Sequence, residues 1–203
     1  MAQQELKIGP WLQAGFNIYK ENFLLLIVVN LLALVLGKLT LGILAGPLLA
    51  GVALINLRLL DQSEPKPEIG DVFKGFDFFL DSFLLFLGCA VASFLAVILS
   101  MLIFTAPIAI LFLIVFGILL HTLSTFALFY IVDRKMDCWP AVMAAFGALR
   151  AMFLPMAVMV VATGIISMAG SLVCGLGVLV TFPLYFSVLS VVYRDLLRPP
   201  AQA

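Results

Sequence analysis

Charge is what this sequence has least of. Lys and Arg number 11, Asp and Glu 11, together 11% of 203 residues, against about a quarter in a soluble domain. Residues 82–132 contain none of the four, and neither do residues 151–193. The net charge is zero, so no basic field exists to hold nucleic acid. There is one histidine, His121, and three cysteines, Cys89, Cys138 and Cys174, with no CxxC pair. That spacing supports neither a disulfide framework nor a metal site, and the cysteines read as small packing residues. No GxSxG, no phosphate-binding glycine loop and no HExxH occurs. No cofactor, no metal and no enzymatic activity are expected.

What fills the chain instead is hydrocarbon. It is 65% hydrophobic, with a mean hydropathy of +1.24. A chain of this length cannot hide so much apolar surface in a water-exposed fold. In a bilayer the backbone must satisfy its own polar groups, which leaves helices or a closed barrel. The apolar runs are long and do not alternate, so the expected class is an all-α integral membrane protein. The opening segment lacks the pattern of a signal peptide, so the first helix is expected to remain as an anchor.

Residues 69–83 organise the rest. Ile69, Val72, Phe73, Phe76, Phe79, Leu80 and Phe83 follow the i, i+3, i+4, i+7 spacing of one helical face, and Asp71, Lys74, Asp77, Asp81 and Ser82 take the other. An apolar run of two-helix length comes directly after. Residues 8–21 and 139–150 repeat the arrangement. Gly15-Phe16, Gly75-Phe76 and Ala145-Phe146 superpose, and Phe23, Phe83 and Phe153 each stand seven residues beyond. Pro47 to Arg58 and Pro183 to Arg194 share a spacing. The expectation is three tandem units, about 8–61, 68–135 and 138–195, in one membrane domain. Each is an interfacial amphipathic helix plus a helical hairpin, giving six transmembrane helices.

Within this plan Trp11, Phe16, Phe76, Trp139 and Phe146 are expected to anchor the interfacial helices among lipid headgroups. Gly42, Gly46 and Ala50, and likewise Gly88, Ala92 and Ala96, form small-residue stripes for close helix packing. Pro47 and Pro183 are expected to kink their helices and free a carbonyl. Turns are expected at residues 37–40, at Pro107 and at 170–177. Ten of the eleven basic residues, from Lys7 to Arg198, fall on one side of this topology, and Lys38 alone falls on the other. The positive-inside rule makes the richer side cytoplasmic, with both termini there. The acidic stretch from Asp61 to Asp81 reads as a solvated face.

Three motifs carry a resemblance: Trp-x-x-x-Gly-Phe-x-x-Tyr-Lys-x-Asn-Phe from Trp11, Ala-Gly-Pro-Leu-Leu-Ala-Gly at 45–51, and Cys-Gly-Leu-Gly-Val-Leu-Val-Thr-Phe-Pro-Leu at 174–184, followed by Val-Tyr-Arg-Asp-Leu at 192–196. In these the chain resembles bacterial six-span membrane proteins of unknown function related to the membrane domain of glycerophosphoryl diester phosphodiesterase. The resemblance implies a multi-pass protein of a bacterial inner membrane. It implies no enzymatic activity, because the phosphodiesterase chemistry belongs to a separate soluble barrel.

The expected function is a non-enzymatic scaffold, anchor or assembly subunit that meets lipids and a membrane-protein partner or a second copy of itself. The alternative is a carrier or flippase for a lipid or small apolar solute. His121, the one ionisable group expected at membrane depth, is the candidate polar site. No second His, Asp or Glu is expected beside it, which argues against a proton relay.

Overall fold

The computed structural model describes residues 7–169 and 177–197, with side chains described for 7–166 and 181–197. Cys174, Arg198, the Pro199-Pro200 tail and, apart from Gly177, the turn expected at 170–177 lie outside the described residues. Every regular element described is helical: α1 (Ile8–Glu21), α2 (Phe23–Leu39), α3 (Ala45–Leu60), a 3₁₀ segment (Ile69–Phe78), α4 (Phe79–Ile103), α5 (Ala106–Arg134), α6 (Cys138–Ala169) and α7 (Gly177–Leu197). Three stretches, Ile69–Ile103, Ala106–Arg134 and Cys138–Ile166, are long and apolar enough to cross a membrane, and a fourth is reached if α1 and α2 count as one broken span. The chain is a membrane-embedded helical protein. Of the six expected spans, α2 has 17 residues and α3 only 16, short of the roughly 20 that a full hydrocarbon core requires.

The amphipathic segments set the architecture. α1 meets α2 at 90°. The break is at Asn22 (φ −119°, ψ 28°), whose side-chain amide donates back to the Ile18 carbonyl at 3.0 Å. The segment 69–78 is not the α-helix its spacing predicts but a 3₁₀ helix, opened by a capping box between Glu68 and Asp71. Its tight winding goes with a very close approach: a Cβ at Gly75 would stand 2.1 Å from the Pro47 carbonyl oxygen and 2.3 Å from the Gly51 nitrogen. Only two glycines allow these backbones to touch. The stretch expected at 139–150 runs on into α6, and the only departure is Met152 (φ −135°, ψ 42°).

Each amphipathic segment lies on a helix other than the one it leads into. α1 packs on α7, the 3₁₀ segment on α3, and α6, which contains the third segment, on α5. The small residues picked out from the sequence make the contacts. Gly15 is pressed against Val188, with 2.5 Å between an added Cβ and Cγ2, and Gly75 against Gly51. Ala145 is wholly buried. α3, α7 and the second half of α5 are the most enclosed parts of the bundle, and α4 and the first half of α5 the least.

Three packing expectations are corrected. Gly42 lies in no helix. It occupies the turn between α2 and α3 at φ +88°, next to Leu41 at φ 52°, and the second span begins only at Ala45. Pro47 therefore stands in the first turn of α3, where its missing N–H leaves no bond unmade, and it makes no kink there. Gly88 faces outward with nothing within 4 Å of an added Cβ. In α4 the buried positions are instead Ser82, Leu85, Ala96 and Ser100, with Ala92 half-buried. Gly46 does pack, against the Ser82 backbone, and Ala50 is fully buried. Pro183 lies inside α7 as expected, buried. Pro107 opens α5 rather than forming the turn, which falls at Phe104-Thr105.

One end of the bundle is held by charge. Arg194 of α7 bonds Asp133 of α5 at 2.6 Å and Asp61, at the end of α3, at 2.5 Å. Tyr193 donates to Asp133 at 2.9 Å. Arg58 bonds Asp71 of the 3₁₀ segment at 2.6 Å, and Asp81 accepts from the Cys138 backbone N–H at 2.8 Å. Asp71 also bonds Lys74, at 2.7 Å. The acidic residues 61–81 thus include structural partners as well as a solvated face.

Two outcomes follow. Gly75→Val forces two backbones apart and should cost about 1–3 kcal/mol, whereas Gly88→Ala should stay within about 0.5 kcal/mol; thermal unfolding in mild detergent compares them. Arg194→Met removes the counter-ion that Asp61 and Asp133 share. It should cost about 2–4 kcal/mol, part of which returns when Asp61→Asn and Asp133→Asn are added.

Candidate functional site

The candidate polar site, His121, sits midway along α5 in a run rich in hydroxyls. Three of them bond back along the helix: Thr122 to the Ile118 carbonyl at 2.7 Å, and Ser124 and Thr125 to the His121 carbonyl at 3.0 and 2.8 Å. This satisfies the hydroxyls locally, as they must be in an apolar environment. Two further contacts cross to α7. The Tyr185 hydroxyl lies 2.9 Å from His121 Nε2 and 3.1 Å from Thr125 Oγ1. The ring of Tyr185 also stacks on His121, with centroids 5.8 Å apart.

Proton bookkeeping orders this group. Thr125 donates to the His121 carbonyl, so its oxygen accepts from Tyr185. Tyr185 has then used its only proton, so its oxygen accepts from His121 Nε2–H. Assigned this way every contact carries one proton, and in the neutral ring Nδ1 is the remaining acceptor. The partner of His121 is therefore a tyrosine 64 residues away, a residue type that a search for carboxylates and histidines passes over.

This group forms one corner of a cavity of about 750 Å³. The rest of its wall is apolar: Leu49 of α3, Phe86 of α4, Leu113 to Leu128 of α5, Val160 to Ile165 of α6, and Phe182 and Phe186 of α7. Along α5 the lining runs from Leu113 to Leu128, about 22 Å at about 1.5 Å per residue. Gly117 and Gly164 both line it, and an added Cβ at either meets nothing within 4 Å. The volume is in the range of small-molecule and cofactor sites. Because its polar corner is closed on itself, the cavity can hold hydrocarbon without stranding a donor. Among the described residues no three of His, Cys, Asp and Glu converge.

The expected anchors behave differently from one another. Trp11 is 3% exposed, and its indole N–H donates to Asp195 at 2.8 Å. It locks α1 onto α7 instead of lying among headgroups; two partners so far apart in the chain are not legible from local spacing. Trp139 is 72% exposed. Phe16 and Phe146 are exposed too, Phe146 beneath the Arg150 guanidinium at 4.5 Å. Phe76 is half-buried, in a row of rings with Phe73, Phe79 and Phe83. A second polar link lies deeper in the bundle: Ser187 of α7 donates to the Asn56 side chain of α3 at 2.8 Å, both fully buried.

Comparison of the chain with protein-family models, with curated proteins and with solved structures finds no match.

The hydrogen-bonded corner predicts a coupling. Tyr185→Phe leaves the His121 Nε2–H without its acceptor and should cost about 1–3 kcal/mol. Adding His121→Leu should recover part of that loss, read as a positive interaction energy in a double-mutant cycle on thermal unfolding.

Proposed function

We propose that this protein is a carrier for a lipid or another apolar solute, which it binds within the bundle. The single observation that carries the reading is the cavity between α3, α4, α5, α6 and α7, with apolar walls and one self-satisfied polar corner at His121, Tyr185 and Thr125. An apolar space of this volume with a single polar corner is of the kind that takes a small apolar ligand. The freed carbonyls expected at the two prolines give this reading no support at Pro47, which sits in the first turn of its helix. The reading is non-enzymatic: His121 is engaged with a tyrosine rather than with a nucleophile.

The scaffold reading is second, and one observation favours it. The outer ends of α4 and α5, from Met101 to Ile103 and from Ile108 to Leu111, are strongly exposed and apolar, as a surface for lipid or a membrane-protein partner would be. We further propose the finer architecture: three tandem units and six spans, with the charged end and both termini cytoplasmic in a bacterial inner membrane. Support comes from the breaks at Asn22 and Met152, which precede the equivalent Phe23 and Phe153 with similar backbone angles. It comes also from the matched docking of the three amphipathic segments. Kinship with the bacterial six-span proteins rests on the three motifs alone.

Filling the cavity tests the carrier reading. Gly117→Leu and Gly164→Leu place side chains into open space and should not unfold the bundle. Native mass spectrometry should show lipid retained by the wild type and lost from the double variant. Lipid flux in proteoliposomes should fall about tenfold. Wild-type flux no higher than in empty vesicles defeats the reading.

A further inference from the structure

A second, smaller cavity of about 470 Å³ lies at the other end of α3, between α2 and the start of that helix. Leu49 and Phe182 line both cavities, so the two share a wall. Lys38 lines the smaller one. It is the sole formal charge between Glu21 and Arg58. Its ammonium makes no ion pair among the described residues. It stands a full helix length, about 24 Å, from the Arg58 and Asp61 end of α3. Every other basic group with a described side chain belongs to the amphipathic segments, to the linkers or to the charged end. An exposed lysine thus contributes to the lining of an apolar pocket that abuts a larger apolar pocket.

We infer that the solute is an anionic amphiphile, whose acidic headgroup is received by Lys38 and whose hydrocarbon chain passes Phe182 into the larger cavity. The inference deepens the carrier reading and rests on it. Lys38 in the last turn of α2 is favoured there by the helix dipole, but the dipole does not require an apolar pocket beside it. An ammonium on a flexible stem recognises charge rather than shape, so the selectivity expected is for an anion over a zwitterion, not for one acid over another. Phe182 is the residue between the two spaces. Its ring lies parallel to Tyr185, at 4° with centroids 6.2 Å apart, and edge-on to Phe186 at 5.6 Å. These contacts hold its ring in the wall that it and Leu49 form between the two spaces. A soluble anion would have no use for the second cavity, since only a hydrocarbon chain gains by entering it.

The experiment uses the full chain in phosphatidylcholine vesicles that carry either tail-labelled fluorescent phosphatidylglycerol or tail-labelled fluorescent phosphatidylcholine. Dithionite bleaching reads the rate of transbilayer movement. The wild type should move the anionic lipid about five-fold faster, the worth of one basic residue toward an acidic headgroup. Lys38→Gln should bring it down to the phosphatidylcholine rate, with that rate unchanged, and Lys38→Arg should keep the preference. Phe182→Trp should slow both lipids. Excess free glycerophosphate should leave the anionic rate unchanged, and competition by it would assign the site to a soluble anion and overturn the inference. If both lipids move and Lys38→Gln alters neither, the anionic preference is overturned while the carrier reading stands. If neither lipid outpaces empty vesicles, the carrier reading itself falls.

Discussion

Arg194 is the point at which three helices are made into one object. It belongs to α7 and bonds the carboxylates of Asp61 after α3 and Asp133 in α5. In lipid no hydrophobic force draws one apolar helix to another, because the tails are as apolar as the side chains. Association then depends on packing and on polar contacts, and polar contacts gain most where water is scarce. Arg194 is 12% exposed at its side chain, so its bonds are screened less than those of a surface pair. Above it the same three helices are linked again, by Ser187 to Asn56 between α7 and α3 and by Tyr185 to Thr125 and His121 between α7 and α5. α7 is the common member each time.

That arrangement decides where space can remain. The charged end is closed by Arg194, Tyr193 and Asp133, and by Trp11 on Asp195. The amphipathic segments draw tight through Gly15, Gly51 and Gly75, where no side chain intervenes. Away from this end α4 and the first half of α5 are the least buried parts of the bundle. The larger cavity lies between them and α3, α6 and α7, and the smaller one between α2, α3 and α7.

The elements that were legible in the sequence are those set by local spacing. Gly15, Gly75 and Ala145 stood out because each precedes a phenylalanine at the same place in a repeated register; that these small residues are the buried ones is visible only in the structure. Pro47 and Gly42 were misread for one reason. An uncharged run gives no sign of where a helix stops, so a single span was drawn through a turn that only the left-handed backbone at Leu41 and Gly42 reveals. The 3₁₀ winding of 69–78 was invisible because its cause, contact with Gly51, lies on another helix. His121 was found by its chemistry and Tyr185 was not. A tyrosine in an apolar run looks like any aromatic until a partner 64 residues away gives its hydroxyl a purpose.

The position of Lys38 shows how such reasoning extends past the fold. The role in orientation proposed for it comes from counting basic residues on the two sides of the expected topology. The role in recognition proposed for it needs the cavity, because a lone ammonium at a membrane surface is as well served by water and phosphate headgroups as by any protein site. What separates the two is the apolar space behind it, bounded by Phe182 and continued by the pocket of His121 and Tyr185. Placed over a solid helix bundle the same charge would only orient the chain. Over a cavity it gives the two ends of an amphiphile different places to go.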